Sequence, residues 1–424
     1  DDPARIAGHL LAELASADSP IVVGYANGTR HTLRVVAADL DLEGRCRTTE
    51  GRCRGVADEG SPGHPTVPNP GTTNDCRTTE GRFRGVADEG SPGHPTAGNP
   101  GTTNDCRTTE GRCRGIADEE RAAAQALGLG ADSVVLLTGG ARGVTARVAV
   151  ALARVSGCHL ELVGRTPPPP SVEDPATAAA ADPVSLRRAL VEQGLRAPAA
   201  VEAATRRLLA ERAIRATLDE LSGLASSVRY HAVDARDAHA LRAVVDGVYA
   251  RHGRIDGAVH GAGILEDKLL RDKTPDSFAR VFATKVDGAY ALVDALRDDV
   301  SFVVLFGSVS GVFGNKGQAD YAAANDALDT LARVWTGRLR GRVVAVDWGP
   351  WAPTAGGMVS IELEREYARR GVGVIDPDDG AACLLRELAW GGRLPQVVYA
   401  CASPAAFDVS RDQASRRSAG EADG

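Results

Sequence analysis

The sequence predicts an α/β fold built on one doubly wound parallel sheet, and three observations carry that prediction. Seven short, nearly continuous apolar runs, near 133–138, 158–163, 228–233, 256–260, 301–307, 342–347 and 396–400, alternate with helical stretches. That is the pattern of parallel strands covered on both faces. The first run, SVVLLT, passes directly into a glycine-rich turn, TGGARGVTA, and then into an amphipathic helix over 144–155. A chain of 424 residues, 43% hydrophobic and 25% charged, is globular and long enough for one large domain with appendages or for two domains.

The same arithmetic excludes several classes of function. No run of about 18 apolar residues is present, and the amino end, DDPARIAGHLLAEL, lacks the basic-then-apolar order of a signal peptide. The chain is therefore expected neither to span a membrane nor to be secreted, and a cytoplasmic location follows. A net charge of −7 argues against nucleic acid as a partner, because phosphate binding needs a concentrated basic face. Only four lysines occur, Lys268, Lys273, Lys285 and Lys316, so almost every cation is Arg. The first residue is Asp1 rather than Met, as expected of a piece of a longer polypeptide.

Along the chain, residues 4–16 read as an amphipathic helix, and IVVGYANGTRHTLRVV reads as two strands joined through Asn27-Gly28. Residues 1–43 are thus a small α+β fragment. A 30-residue block beginning at Cys46 recurs at Cys76 and starts again at Cys106. It is rich in Gly, Pro, Thr, Asn and Arg and nearly devoid of Leu and Ile, so residues 44–116 cannot offset their ordering entropy and are expected to be disordered. Near-identity of the copies points to slippage in the DNA or to an error in the gene as read. A zinc site of Cys46 and Cys53 with His64 would have six residues between the thiols, and the second copy carries Phe83 in place of Cys, so no metal is expected. Residues 117–403 form the main α/β unit, and 404–424 an unstructured tail. The connection 166–227 opens with four prolines and continues as Ala- and Arg-rich helical sequence. It is expected to be a helical insertion at the edge of the sheet.

The chemistry begins at the glycine turn. Gly139, Gly140 and Gly143, flanked by Thr138 and Val144, let the backbone approach a pyrophosphate at the positive end of the following helix, a Rossmann-like arrangement. Thr145 stands where a further glycine would help helix and strand pack closely. The second strand ends at Gly164-Arg165 rather than at an acidic residue. Arg165, with Arg142 in the turn, would pair with a 2′-phosphate and favour NADPH; the alternative is two solvated arginines in an Arg-rich chain. Asp234, followed by Ala235, is placed either for an adenine contact or as a helix cap.

The densest constellation is SFVVLFGSVSGVFGNKGQADYAAANDALDTLA. Ser308 leaves the end of a buried strand, Tyr321 follows thirteen residues later at the start of a helix, and Asn325 shares a helical face with Tyr321 at i+4. Ketone reduction needs a proton donor at oxygen, and a Tyr serves if a nearby cation lowers its pKa of roughly 10. Lys285, on the preceding long helix, is the candidate. Ser308 would hydrogen-bond the carbonyl, Tyr321 would protonate it, Lys285 would stabilise tyrosinate and bind the nicotinamide ribose, and Asn325 would support a proton relay through water.

Residues 132–401 resemble a ketoreductase domain of an iterative type I polyketide synthase within the short-chain dehydrogenase/reductase superfamily. That superfamily usually places Lys four residues after Tyr; here Asn325 fills that position and Lys285 lies upstream, an exchange that resembles the polyketide and fatty acid synthase ketoreductases. The segment VHGAGILEDKLL resembles the one lying under the nicotinamide, which implies contacts from Gly261, Ala262 and Gly263. VDWGPW resembles the loop beside the nicotinamide amide, implying Pro350, and the stretch 352–372 with Met358 resembles a substrate lid. Leu265-Glu266-Asp267 is similar to the Leu-Asp-Asp signature of reductases giving a 3R hydroxyl, and Phe313 sits where the opposite class carries Trp. Asp267, Phe313 and Met358 are the substrate-side residues this implies. The glycine turn, GRTPPPP and the helical insertion look most like ketoreductases of enediyne-type and polyunsaturated-fatty-acid synthases, in which residues 4–42 would be a remnant structural subdomain. The repeat departs from the family.

The resemblance implies NADPH-dependent reduction of a β-ketoacyl thioester on an acyl carrier protein, alongside other domains of the same synthase. A catalytically silent scaffold is the alternative. A sugar epimerase or dehydratase of related fold is disfavoured because it would carry Lys at position 325. Arg187, Arg188, Arg206 and Arg207 read either as a docking patch for an acidic carrier domain or as solvated helix faces.

Overall fold

A computed structural model describes residues 118–170, 172–352, 365, 367–369 and 371–402, together with the strands β1 (Val23–Ala26), β2 (Thr29–Thr32), β3 (Ala38–Leu40) and β4 (Cys46–Thr48). The expected helix over 4–16, the repeat beyond Thr48, the stretch 353–364 with Met358, and the tail lie outside the described residues. The chain divides into two compact units, residues 1–37 with 48–105 and residues 38–47 with 106–424. In the first, β1 and β2 pair antiparallel with Ala26 opposite Thr29, and the expected Asn27-Gly28 turn lies outside the described residues.

The second unit holds a seven-stranded sheet, all parallel. Its strands are β5 (Val134–Thr138), β6 (His159–Gly164), β7 (Ser227–Ala232), β8 (Gly257–His260), β9 (Phe302–Ser308), β10 (Arg342–Trp348) and β11 (Gln396–Tyr399). They lie in the order β11-β10-β9-β8-β5-β6-β7. The chain winds outward from β5 through β6 to β7, returns to the other side of β5, and winds outward again through β8 to β11. The reversal between β5 and β8 opens a crevice beyond the carboxyl ends of the strands, where such folds bind ligands.

Alternation within the strands builds two apolar layers. Val135 and Leu137 face α2 (Gly143–Ser156) and α10 (Pro377–Trp390), packing with Val148, Leu152, Leu384 and Leu388. Val134 and Leu136 face α6 (Ala238–His252), α7 (Pro275–Ala295) and α9 (Ala319–Trp335), packing with Leu241, Val245, Leu292 and Leu328. Each such buried aliphatic side chain stabilises the fold by about 1.5–3 kcal/mol. A helix over 118–126, α1, adds Ala123 and Ala124 to the first layer. Among the described residues no helix is long and apolar enough to cross a membrane.

Three helices occupy the connection between β6 and β7: α3 (Pro175–Ala178), α4 (Pro183–Glu192) and α5 (Pro198–Ser222). The sequence predicts an insertion lying wholly at the sheet's edge; the structure divides it. Ile214 and Leu221 of α5 pack with Val148, Leu152 and Leu160, so the second half of α5 is the crossover helix that covers the sheet between two parallel strands. Only α3, α4 and the first half of α5 stand apart, around Leu186, Leu190 and Leu208. Arg187 pairs with Glu202 at 2.5 Å and Arg207 with Glu211 at 3.5 Å, so this surface mixes charges, as solvated helix faces do.

Candidate active site

The glycine turn joins β5 to α2 at the crevice. Gly139 has φ +74, in the left-handed region, and a Cβ there would fall 2.9 Å from the backbone of Gly261. Gly261 follows β8 and donates its N–H to the Thr138 carbonyl at 3.0 Å, so the two loops flanking the crevice are tied together. A Cβ on Gly261 would lie 2.1 Å from Thr145 Oγ1. The close approach expected to suffer from Thr145 is thus provided by the glycine opposite it. Arg142 is the N-cap of α2, with no side-chain bond to the first turn, which leaves the helix's N-terminal amides for an anion. A shallow, side-chain-free backbone cradle at a positive helix end fits a dinucleotide's pyrophosphate.

Arg142 and Arg165 are exposed beside the ends of β6 and β7. The field of Arg165 helps to hold Asp234 below the usual carboxylate range, after the stronger hydrogen bond from Arg236. Asp234 Oδ1 also accepts the backbone N–H of Arg236 at 3.0 Å, while Asp237 is the N-cap of α6, so Asp234 closes a turn and does not cap the helix. Ala235 is buried behind it.

Ser308, Tyr321, Asn325 and Lys285 come from the end of β9, the first turn and next turn of α9, and the middle of α7. The fold brings them together. Lys285 is 4% exposed; its Nζ donates to the Phe306 carbonyl at 2.6 Å and stands 5.3 Å from the centroid of the Tyr321 ring. Gly263 leaves room for its stem, since a Cβ there would lie 3.3 Å from Lys285 Cε. Asn325 Nδ2 donates to the Tyr321 carbonyl at 2.6 Å, leaving its buried Oδ1 without a partner. Ser308 Oγ caps the short helix α8 (Val309–Phe313) by accepting from Ser310 N at 3.2 Å.

One expectation is corrected. Burial pushes the Tyr321 phenol up to about 12, outweighing the opposite pull of hydrogen bonding toward Asn325 and Ser308. The sequence predicts a net lowering by Lys285; burial is the larger effect, and an ammonium that sits over the ring and is engaged by a carbonyl does not overcome it. Desolvation disfavours a buried phenolate, so Tyr321 rests as a neutral proton donor. Burial also pushes Lys285 down, to about 8.

Sequence reasoning missed the supports around these groups. Lys273 and Asp320 form a buried ion pair at 2.8 Å, and Asp320 Oδ1 accepts the N–H of Tyr321, fastening the start of α9 to the segment after β8. Asp267 accepts from Gln318, whose Oε1 accepts from Ser310. Glu266, which departs from the expected Asp, reaches Arg280 and Ser277 on α7 at 2.8 Å each, away from Asp267's partner. Pro350 is buried and its carbonyl accepts from Ile375 N at 2.7 Å; Phe313 ends α8. The available signals were an Asp beside Tyr321 in the first turn of its helix and a Lys just ahead of α7, but neither sits in a periodic pattern. Among the described residues no group of three or more His, Cys, Asp or Glu could hold a metal ion.

These features define a Rossmann-like domain with a glycine cradle at a helix N-terminus and a Ser, Tyr, Lys and Asn cluster beside it. The profile of the KR (ketoreductase) domain family matches residues 133–353, more than half of the chain, and the chain belongs to that family. It is similar to a polyunsaturated fatty acid synthase polypeptide of Thraustochytrium sp., 31% identical over 268 residues that make up 60% of this chain and 9% of that protein. It is also similar to polyketide synthase GfsB of Streptomyces halstedii, 39% identical over 176 residues, 41% of this chain and 3% of that protein. The chain thus spans less than a tenth of either relative. Among solved structures, the PlmKR1 ketoreductase from the first module of phoslactomycin biosynthesis in Streptomyces sp. HK803 is 28% identical, with a TM-score of 0.50, covering 66% of this chain and 55% of that one.

Proposed function

We propose that this domain carries out NADPH-dependent reduction of a β-ketoacyl thioester, held on an acyl carrier protein, to the β-hydroxyacyl thioester, as one unit, residues 117–403, of a larger synthase. The observation that carries the reading is the burial of Lys285 against the ring of Tyr321 next to Ser308 and Asn325, at the crevice where the glycine cradle opens. NADPH, when bound, supplies hydride to the ketone carbon. The chain's own residues do the rest. Ser308 Oγ donates a hydrogen bond to the ketone oxygen and orients it, and Tyr321 delivers the proton as charge develops there. Lys285, buried and cationic, stabilises the tyrosinate left behind. Asn325, with its free Oδ1, holds water through which the phenol is reprotonated. Thr138, Gly139, Gly140, Gly143, Val144, Ala235, Gly261, Ala262, Gly263 and Pro350 would line the cofactor.

The test is loss of reduced-nicotinamide absorbance on adding a β-ketoacyl thioester, run with NADPH and NADH in parallel. Consumption that requires the thioester and prefers NADPH is expected; no consumption with either cofactor is the outcome of a silent scaffold. Arg165 and Arg142 set the preference. Arg165→Ala is expected to raise KM for NADPH by about tenfold while KM for NADH changes by less than about twofold, since a lost charge-assisted phosphate contact is worth roughly 1.5–3 kcal/mol. Equal effects on both cofactors would remove Arg165 from the 2′-phosphate site.

A further inference from the structure

Behind Lys285 lies a buried acid pair that the chemistry above does not use. Asp329 and Asp347 are 1% and 0% exposed. Asp347, near the end of β10, pairs in register with Gly307 of β9, where a Cβ would fall 2.1 Å from its Oδ1; only glycine makes room for the carboxylate. Gly307 follows Phe306, whose carbonyl holds Lys285 Nζ. Asp329 lies on α9, and Tyr321, Asn325 and Asp329, spaced by four, form one stripe of that helix. Gln396, the first residue of β11, donates from its single Nε2 to Asp329 Oδ2 and to Asp347 Oδ2, each at 2.8 Å. Its amide cannot be turned round, because Oε1 accepts from Arg333. The second oxygen of each acid, Oδ1, is buried without a partner.

Two carboxyl groups bridged by one donor in a dry interior cannot both ionise, because desolvation and mutual repulsion both favour a retained proton. Burial holds both acids well above the usual carboxylate range, and the charge of Asp347 pushes Asp329 further. Among the described residues the charged groups around them are few. Lys285 from α7 pulls Asp347 down, while Arg333 and Asp326, both on α9, pull Asp329 down and push it up respectively. On its other side Lys285 meets neutral Tyr321 and His260 of β8, whose imidazole burial and the ammonium hold down at about 3. The acid pair is thus the source of negative charge that favours the lysine's charge against its burial.

We propose that Asp329 and Asp347 share one proton and carry a single negative charge, and that this charge keeps Lys285 an ammonium in the dry base of the site. They are positioning residues that act through Lys285. Their role in turnover rests on the proposed function; the charge relationship does not.

The test exploits the scarcity of lysine. Labelling the full chain with [ε-13C]lysine gives four signals, and Lys285→Arg assigns the one that matters. Titration of that signal is compared in the parent, Asp329→Asn, Asp347→Asn and the double variant. Either single variant leaves one carboxyl to carry the single charge beside Lys285, so the acid constant of Lys285 stays within about threefold of the parent; the double variant removes the charge and raises it at least about tenfold. A double variant titrating like the parent overturns the proposal, as does a single variant that already gives the full change. If the double variant does not fold, infrared spectra of the parent decide. A protonated-carboxyl band at neutral pH that disappears in both single variants is expected, and its absence from the parent contradicts a shared proton. Neither readout requires turnover, so a failure of the pair and a failure of the ketoreductase reading are separately visible.

Discussion

Tyr321→Phe is expected to lower kcat for thioester reduction by at least about a hundredfold while leaving NADPH affinity within about threefold, because positioned general acids typically contribute about 10²–10⁴. The substitution removes one oxygen and keeps a ring of the same shape. Tyr321 is 9% exposed, and its backbone is fixed independently of the hydroxyl, through Asp320 accepting its N–H at 2.8 Å and Asn325 donating to its carbonyl. Helix α9 should therefore keep its place, and the loss should fall on kcat. Steady-state kinetics with fluorescence titration of NADPH separate the two. A variant that turns over at the parental rate would remove Tyr321 from proton transfer, whatever its fold.

Lys285→Met should lower kcat by a comparable amount and also change its pH dependence. In the parent, burial brings Lys285 down to about 8, below its ordinary 10.5. The cationic form of Lys285 dominates below about 8 and is lost as pH rises through that value; under the proposed mechanism, which uses that form, kcat/KM should fall on the alkaline side while Tyr321, held up at about 12, stays protonated. Met fills the aliphatic stem's volume and cannot titrate, so the residual activity should show no break near 8. A break that persists there in Lys285→Met would assign the titration to another group, and parental kcat would contradict the lysine's role.

The sheet was legible because parallel strands buried on both faces read as continuous apolar runs; the seven expected runs match β5 to β11, with small shifts at their ends. Ser308, Tyr321 and Asn325 were legible because one strand end and one helix face carry them. The double role of α5 was not, since the apolar residues that pack on the sheet and those that pack on α4 are alike in kind. The state of Tyr321 depends on enclosure by elements far apart in sequence, so an argument from one nearby cation gave the wrong direction. The acid pair with Gln396 draws on α9, β10 and β11, and pairing distant residues is a three-dimensional fact. Two signals stood in plain view: an Asp inside the apolar run RVVAVDW, and an Asp eight positions after Tyr321 on its own helical stripe.

Under the proposed function these side chains present a ketone to a reduced nicotinamide bound at the glycine cradle. Incubation with a β-ketoacyl thioester and NADPH carrying deuterium at both C4 positions of the nicotinamide, followed by mass analysis of the product, reads out the hydride transfer. One deuterium at the β-carbon of the hydroxyacyl product is the predicted result. A hydroxyacyl product without the label, or unchanged thioester from folded protein that binds NADPH, would contradict it.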